Sequence, residues 1–349
     1  MYLIEGAMNH EINENTINQI NDFFNGCTFF NTGEFIERDE IVEIIDRKFD
    51  IIYPNENNLN DRLKPSLDNQ YLDIKNLKLR YRVFDVGQAN CSAILSFDQE
   101  EKDYTVACVF DLGCEKTKRN NTKLKNMIRK IDGSTTIVIS HFDSDHYNLI
   151  QYTQLPPTVR WLFPSTPPKT KKGFKLFQLL LSIATKKSNT GKLYIYDGPY
   201  HLTNYLRIEE KQDNTKDLYQ STVLNANSVI SIIETNKNRI LIPGDALYHD
   251  FPQGVFNTYY TVVLIPHHCC YYPSPLSGDS YADIINKIVN NETIGIAQCG
   301  SNTYGHANIS HLSWYKKWII CSGGTIYDDM KNVLQKFGVS KNTYIDFDI

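Results

Sequence analysis

The sequence of 349 residues predicts an α/β layered domain over residues 79–349. Short runs rich in Val, Ile and aromatic residues recur along this region, and each is bounded by Gly, Pro, Asn or Asp, which is typical of β-strands. Helical patterns fall between several of these runs, and strands that alternate with helices indicate an α/β architecture. The ten predicted strands are Leu79–Val86, Ser92–Phe97, Tyr104–Leu112, Thr135–Ser140, Thr158–Phe163, Lys192–Tyr196, Ser228–Glu234, Arg239–Pro243, Tyr260–Pro266 and Thr293–Cys299. The four predicted helices are Thr122–Ile131, Gly173–Lys187, Tyr281–Val289 and His311–Ile320.

Residues 1–78 have a different texture, irregular and rich in Asn, Asp and Glu. Apolar residues at helical spacing predict two amphipathic helices here, Glu14–Phe24 and Phe35–Phe49. We interpret this region as a small helical appendage or cap, through which a protein partner could bind. The simpler interpretation is a packed extension with no function of its own.

The composition is that of an ordinary globular protein, with 41% hydrophobic and 22% charged residues. It excludes collagen-like, mucin-like and wholly disordered chains. The formal net charge of −4 argues against a strongly basic grip on nucleic acid, and the densest basic cluster, Lys169–Lys172, is interpreted as a solvated loop. The eight cysteines are scattered and the first residues lack a leader pattern, so we expect a cytoplasmic protein that does not associate with membranes.

Five of the predicted strands end in side chains that could bind a metal. Loops at strand ends carry function in α/β folds because a rigid sheet holds them in place. Imidazoles and carboxylates are the expected ligands of zinc, manganese or iron. The residues in question are Asp111; His141, Asp143, Asp145 and His146; Asp245; His267 and His268; and His306. The pattern predicts a metal site at the strand ends.

The densest part of this pattern is the segment from His141 to His146, which places four possible ligands within six residues. A helix would scatter these side chains around its circumference. We therefore expect a tight loop that brings them to one point.

The segment SHFDSDH, residues 140–146, resembles the metal-binding signature of the metallo-β-lactamase fold. The closer resemblance is to the hydrolase domain of the competence DNA-uptake protein ComEC. That branch shares five further motifs with this chain, in the same order, between about residues 79 and 330. They are Phe-Asp-Val-Gly-Gln at 84–88, Asp-Leu-Gly at 111–113, Gly-Asp-Ala at 244–246, Pro-His-His at 266–268 and Tyr-Gly-His at 304–306. The resemblance does not cover residues 1–78.

The resemblance implies an αβ/βα four-layer sandwich with one or two divalent metal ions, zinc or manganese, at one edge. By position, one metal would be held by Asp145, His146 and His267, and the other by His141 and Asp143, with Asp245 bridging the two. Asp111 would support the ligands from beneath. His306 would lie near the substrate and donate to its developing negative charge.

This chain departs from the pattern of the branch in four places, one of which is Ala89-Asn90 in place of Gly-Asp after the opening strand. Asp143 replaces a histidine, which could shift the preference toward manganese or magnesium or weaken one site. The usual third-motif histidine is missing, and His201 is the one histidine in that interval. Cys269 and Cys270 replace Gly-Ser, and they are either structural thiols or a thiolate ligand.

These residues predict a metal-dependent hydrolase, with a phosphodiesterase or nuclease that uses a metal-activated water as the first hypothesis. Asp143, Asp145 and His306 are the candidate catalytic residues, and the expected substrate is a phosphodiester, with DNA among the candidates. A second hypothesis is a hydrolase of a small phosphoester, or of another ester or lactone. A third is a partner-binding protein of the same fold with weakened catalysis, because Asp143 and the missing histidine depart from the pattern.

Overall fold

A computed structural model describes the chain at residues 77–98, 102–153, 155–156, 159–164, 193–196, 200–201, 206–209, 228–270, 280–300, 306–321 and 344–349. The appendage predicted for residues 1–78 lies outside these ranges, apart from the first two residues of strand β1. The helix predicted at Gly173–Lys187 and the basic cluster Lys169–Lys172 also lie outside them.

The described strands form two mixed sheets of seven strands each. Sheet A has the order β14-β1-β2-β3-β4-β5-β6, and sheet B has the order β13-β12-β11-β10-β9-β8-β7. The strands of sheet A are β1 Leu77–Phe84, β2 Ser92–Asp98, β3 Asp103–Phe110, β4 Thr136–Val138, β5 Arg160–Pro164, β6 Leu193–Tyr196 and β14 Tyr344–Asp348. Those of sheet B are β7 Tyr200–His201, β8 Leu206–Glu209, β9 Ile230–Glu234, β10 Arg239–Ile242, β11 Val262–Leu264, β12 Ile294–Ala297 and β13 Lys317–Ile320.

Both sheets combine an antiparallel part with a parallel part. In sheet A the pairs from β3 to β6 are parallel, and in sheet B the pairs from β10 to β13 are parallel. The remaining pairs are antiparallel. Because parallel neighbours end at the same edge of a sheet, the loops that follow β3 and β4 lie together, as do those that follow β10, β11 and β12.

Four short α-helices are described: α1 Thr122–Arg129, α2 Ser144–Tyr147, α3 Tyr281–Ile285 and α4 Ile309–Leu312. The side chain of Asn121 caps α1 by accepting hydrogen bonds from two backbone N–H groups. Ser280 and Asp283 form a reciprocal capping box at the start of α3. Within the described parts of the chain, no helix has the length and apolar character that a membrane crossing requires.

The ten predicted strands are confirmed, with ends that shift by a few residues. The helix predicted at His311–Ile320 is wrong, because α4 ends at Leu312 and residues Lys317–Ile320 form β13. The Lys-Trp-Ile-Ile run pairs in parallel with β12, which buries Trp318 and Ile320. Backbone pairing with β12 therefore outweighs the helical spacing of the apolar residues in this segment. The strands β7, β8 and β14 were not predicted.

Three clusters of buried apolar residues connect the strands and helices. One cluster combines residues of both sheets, such as Phe110 of β3 and Ile240 of β10, and lies between them. A second packs α1, through Leu124 and Met127, against sheet A. A third packs α3 and α4 against sheet B. Since full burial of one such side chain contributes about 1.5–3 kcal/mol, these clusters make the sheets a rigid support for the loops at their edges.

The last described strand, β14, covers the free edge of β1. Arg82 donates two hydrogen bonds to the carboxylate of Asp346, at 2.6 and 2.7 Å, and its guanidinium lies 4.1 Å from the ring centre of Tyr344. A bidentate, stacked arginine of this kind fixes the register of the pair. The C-terminal strand is thereby anchored to sheet A.

Candidate metal centre

The predicted ligands converge where the two sheets meet. Asp111 follows β3 and His141 follows β4 in sheet A, whereas Asp245 follows β10 and the histidine pair follows β11 in sheet B. The edges are close enough that Nε2 of His146 lies 3.2 Å from Oδ1 of Asp245. Residues more than 90 positions apart in sequence thus form one cluster.

The carboxylate of Asp245 lies at the centre of this cluster and is 2% exposed. Four imidazoles surround it. The distances from its oxygens to the Nε2 atoms are 3.2 Å for His146, 3.6 Å for His141, 3.8 Å for His267 and 4.0 Å for His268. One buried anion among four rings is the arrangement that a bridging ligand between two cations would have.

Two groups of side chains could each hold a metal ion, and they share His146. One group is His141, His146 and Asp245, and the other is Asp145, His146 and His268. Within each group, the ligand atoms lie within 4.8 Å of one another.

An observation independent of spacing shows that these residues fit a cation. The buried Nε2 atoms of His141, His146 and His268 and Oδ1 of Asp245 make no hydrogen bond of good geometry, although ion-pair distances of 3.1 and 3.2 Å join His268 to Asp145 and His146 to Asp245. A buried polar atom without a partner costs about 1–3 kcal/mol, so four of them in one place are costly. Divalent ions bound by the two groups would give these atoms partners.

Asp111 supports His146 from beneath, in the position that the resemblance implied. Its carboxylate accepts hydrogen bonds from the backbone N–H and the hydroxyl of Ser140, at 2.7 and 2.8 Å, and it lies 2.8 Å from Nδ1 of His146. An imidazole that donates from Nδ1 presents the lone pair of Nε2 to a metal. The backbone of Asp111 has a left-handed φ of 56°, which turns its side chain toward the site.

His268 is held in the same manner. Its Nδ1 lies 2.8 Å from the backbone carbonyl of Gln298, to which it donates, and its Nε2 lies 3.1 Å from Oδ2 of Asp145. The side-chain amide of Gln298 donates in turn to the carbonyls of Phe84, the last residue of β1, and Cys91, directly before β2. The ring orientation of His268 therefore depends on contacts between the sheets.

The structure groups His268, and not His267, with Asp145 and His146. The resemblance assigned His267 to that metal, although both histidines were among the possible ligands at the strand ends. Residues 267, 268 and 269 have left-handed φ values of 49°, 51° and 61°, which point the two neighbouring rings in different directions, with their centres 6.4 Å apart. The Pro-His-His motif signals both histidines, but only the dihedral angles of the turn separate them.

The segment from His141 to His146 is not the tight loop that we expected. A bend at residues 141–143 is followed by the single turn of α2, with Asp143 directly before the helix. Asp145 and His146 lie on α2 and still reach the centre. Asp143 belongs to neither group; its side chain is 38% exposed, and its nearest contact with the centre is 3.6 Å, to Nε2 of His141.

Glycines at two of the motifs allow the loops to approach each other. A Cβ atom on Gly113 would lie 1.5 Å from the backbone carbonyl oxygen of Asp145, which no side chain can occupy. Gly244, directly before Asp245, has a left-handed φ of 59°. Both glycines therefore serve the geometry of the centre.

His306 lies at the rim of the centre and is partly exposed. Its Nδ1 lies 2.7 Å from the side-chain nitrogen of Gln88, and its ring stacks beside that of His268, with 6.0 Å between ring centres. His201 lies in β7, at the edge of sheet B, and its side chain is outside the described part of the chain.

Charged groups in the centre stabilise one another. Burial alone would lower the pKa of His146, but Asp245 and Asp111 outweigh it and raise that pKa well above its usual value. Burial would raise the pKa of Asp245, but the four histidines hold it well below its usual range. Burial lowers the pKa of His267, and together with the neighbouring histidines it lowers the pKa of His306 to about 4. The two rim imidazoles are therefore neutral at pH 7.

Comparison of the chain with protein-family models finds no match, and comparison with curated proteins finds none.

Proposed function

We propose that this chain is a metal-dependent hydrolase of phosphodiesters, with the four-layer sandwich of the metallo-β-lactamase fold. The fold proposal is supported by two sheets that share one core, by outer clusters with helices on both sides, and by six motifs in the order of the ComEC branch. The observation that carries the functional proposal is the buried carboxylate of Asp245 among four imidazoles.

In this proposal Asp245 would be a ligand of both ions, whereas His146, which offers one lone pair on Nε2, would bind one of them. His141 completes the ligands of one ion, and Asp145 and His268 complete those of the other. A donor set of imidazole nitrogens and carboxylate oxygens suits zinc and manganese. A divalent ion bound there supplies Lewis acidity, which lowers the pKa of water and stabilises the oxygens of a phosphodiester.

The protein's own side chains orient the metal ligands and the attacking water. Asp111 keeps a proton on Nδ1 of His146, and the carbonyl of Gln298 does the same for His268, so both rings offer Nε2. The exposed carboxylate of Asp143 stands at the mouth, where it can orient a water molecule or accept its proton. The carboxylate of Asp145 is 30% exposed and is held against His268.

A basic surface beside the centre favours a polyanionic substrate over a small ester. Seven lysines and arginines and no acidic residue occur between residues 116 and 130, which we call the basic segment. Asp85 and Asp103 neutralise Lys118 and Lys130, and Lys116 and Lys123 are exposed. Because α1 connects the parallel strands β3 and β4, it runs back across the sheet, and its first turn lies at the edge that carries the centre.

The proposal is tested by metal content and cleavage measured on the same preparation. Purified protein should retain zinc or manganese after dialysis and should cleave single-stranded DNA or a chromogenic phosphodiester. Asp245→Asn should lose bound metal and lower the cleavage rate by about 100-fold or more, since a carboxylate shared by two ions is removed. Asp85→Asn, which changes a buried carboxylate directly after β1 that pairs with Lys118, is the matched control and should keep its metal.

Two results would decide against this function. A folded protein that binds less than one equivalent of metal and cleaves no phosphodiester would favour the partner-binding interpretation. Cleavage of small esters at a rate that added salt does not change would favour the small-ester interpretation. A polyanion bound through its phosphates would instead lose affinity steeply as salt is added.

A further inference from the structure

A third group of ligand-capable side chains lies at the rim of the centre and includes a cysteine. It consists of His267, Cys270 and His306, whose candidate ligand atoms all lie within 4.8 Å of one another. None of the three belongs to the two buried groups around Asp245 and His146. We propose that this rim site binds a zinc ion through the thiolate of Cys270 and the imidazoles of His267 and His306.

The local fold brings these three residues together. The left-handed turn at 267–269 closes with a hydrogen bond of 2.9 Å from the backbone N–H of Cys270 to the carbonyl of His267. The backbone N–H of Asn308 donates to the carbonyl of Cys269 at 2.7 Å, which ties the segment after β12 to the same turn. His306 is two residues from this tie, and its ring centre lies 5.7 Å from that of His267.

The donor set determines which ion the site would take. One thiolate and two imidazoles are soft to intermediate ligands, which favour zinc and disfavour magnesium or manganese. Ligand atoms around a tetrahedral zinc ion lie about 3.6 Å apart, as follows from metal–ligand bonds of about 2.0–2.3 Å. Since the three atoms lie within 4.8 Å of one another, side-chain rotation would have to bring them closer by at most about 1 Å.

Burial and access are also suitable for a metal site. Cys270 is 6% exposed, so its sulfur is shielded from bulk solvent. The side chain of His267 is 31% exposed, which leaves the ion a path from solvent. The carboxylate of Asp245, 3.8 Å from Nε2 of His267, contributes a negative charge on the inner side. Three protein ligands leave the fourth position of a tetrahedral ion open.

This site is separate from the metal pair of the proposed function, and it can fail or succeed independently. It would also change the role of His306. The resemblance implies that His306 donates to the substrate, whereas a zinc-bound His306 would act as a ligand.

Cobalt substitution tests the rim site without any measurement of activity. The metal-free protein is loaded with Co²⁺, and the near-ultraviolet charge-transfer absorption between thiolate and cobalt is recorded. The wild-type protein should show this band, and Cys270→Ala should abolish it. Zinc titration, followed by elemental analysis after desalting, should show about one equivalent less zinc in Cys270→Ala than in the wild type.

Cys269→Ala is the matched control. Cys269 is the adjacent residue, is fully buried, and has its sulfur 3.6 Å from the backbone carbonyl of Asn308 and not in the ligand group. This variant should keep both the band and the zinc stoichiometry. Circular dichroism and the Tm establish that each variant is folded.

The proposal is overturned if cobalt binds to the wild-type protein without a thiolate band, or if the band persists in Cys270→Ala. His306→Ala changes a partly exposed position and provides a second test should Cys270→Ala fail to fold. It should lose the same equivalent of zinc, and full zinc content in a folded His306→Ala protein would contradict the site. If Asp245→Asn loses metal but keeps the thiolate band, the rim site is intact and the lost metal belongs to the buried pair.

Discussion

Asp111 is a buried carboxylate whose described contacts all lead to the metal centre. It accepts from both polar groups of Ser140 and orients His146. Asp111→Asn keeps the size of the side chain but removes the negative charge that favours a proton on Nδ1. Residues that orient a ligand in this way typically contribute 10- to 100-fold in metal affinity.

We therefore expect Asp111→Asn to weaken zinc affinity by about 10- to 100-fold, measured by competition with a chromophoric chelator. Asp85→Asn, directly after β1 and two strands away from β3 in sheet A, should leave the affinity unchanged. Equal affinities of the wild-type and Asp111→Asn proteins would show that the contact to His146 is structural only.

His311 is a second buried imidazole, and it lies in α4. It donates from Nδ1 to the carbonyl of Cys270 at 3.0 Å, and its Nε2 accepts from the hydroxyl of Tyr248. Burial lowers the pKa of His311 to about 3, whereas an imidazole in the unfolded chain titrates near pH 6.5, so the folded state holds the neutral ring. Its contribution to stability is fully present above about pH 6.5 and is lost as the pH falls toward 3.

His311→Gln should preserve both hydrogen bonds without a titrating group. Between pH 6 and 4, the free energy of unfolding of the wild type should fall more steeply than that of the variant, by up to about 1.4 kcal/mol per pH unit. Urea unfolding of the metal-free proteins at several pH values measures this difference. Parallel pH profiles would mean that His311 is protonated in the folded protein.

At the scale of elements, the basic segment at the start of α1 decides how a polyanion could bind. Its exposed residues Lys116 and Lys123 stand at the edge that carries the centre. Each phosphate contact that is lost should reduce the salt dependence of single-strand binding by about 0.7 in the logarithmic slope.

The double variant Lys116→Glu with Lys123→Glu should therefore bind single-stranded DNA more weakly and with a shallower salt slope, in a fluorescence anisotropy titration. Lys237→Glu with Lys316→Glu makes the same change of charge at the starts of β10 and β13, at the opposite edge of sheet B. This control should bind as the wild type does. Equal losses in both variants would indicate a net-charge effect without a defined track.

The local sequence predicts some of the strands and helices better than others. Runs such as Arg239–Ile242 are buried along their whole length, and their apolar character identifies them as strands. The segment after His311 has helical spacing yet becomes β13, because pairing with β12 gives its backbone groups partners. The tight loop expected after β4 contains α2 because Asp145 and His146 reach the centre from two faces of one helical turn.

At the scale of the whole molecule, the metal centre joins the two sheets. His141 and His146 follow β4 of sheet A, whereas Asp245 and His268 follow β10 and β11 of sheet B. An ion that binds only the folded state stabilises it by mass action, by about 4 kcal/mol when its free concentration is 1,000 times its Kd.

Removal of metal with a chelator should therefore lower the Tm of the wild-type protein, as measured by differential scanning calorimetry. The Tm of Asp245→Asn, which lacks the central carboxylate, should not respond to the chelator. A wild-type Tm that is unchanged after complete removal of metal would contradict a centre that bridges the sheets.

The sequence by itself determined the positions of ten strands and the residues that follow them, because burial and residue type are visible in neighbouring positions along the chain. The Asp-x-Gly and Gly-Asp motifs, and the histidines at the strand ends, could therefore be identified as one candidate site. Only the tertiary structure decided which histidine of the Pro-His-His pair faces Asp145, and that Cys270 lies beside His267 and His306. Those relations depend on three left-handed backbone angles and on the packing of one sheet edge against another, and neither is encoded in local periodicity.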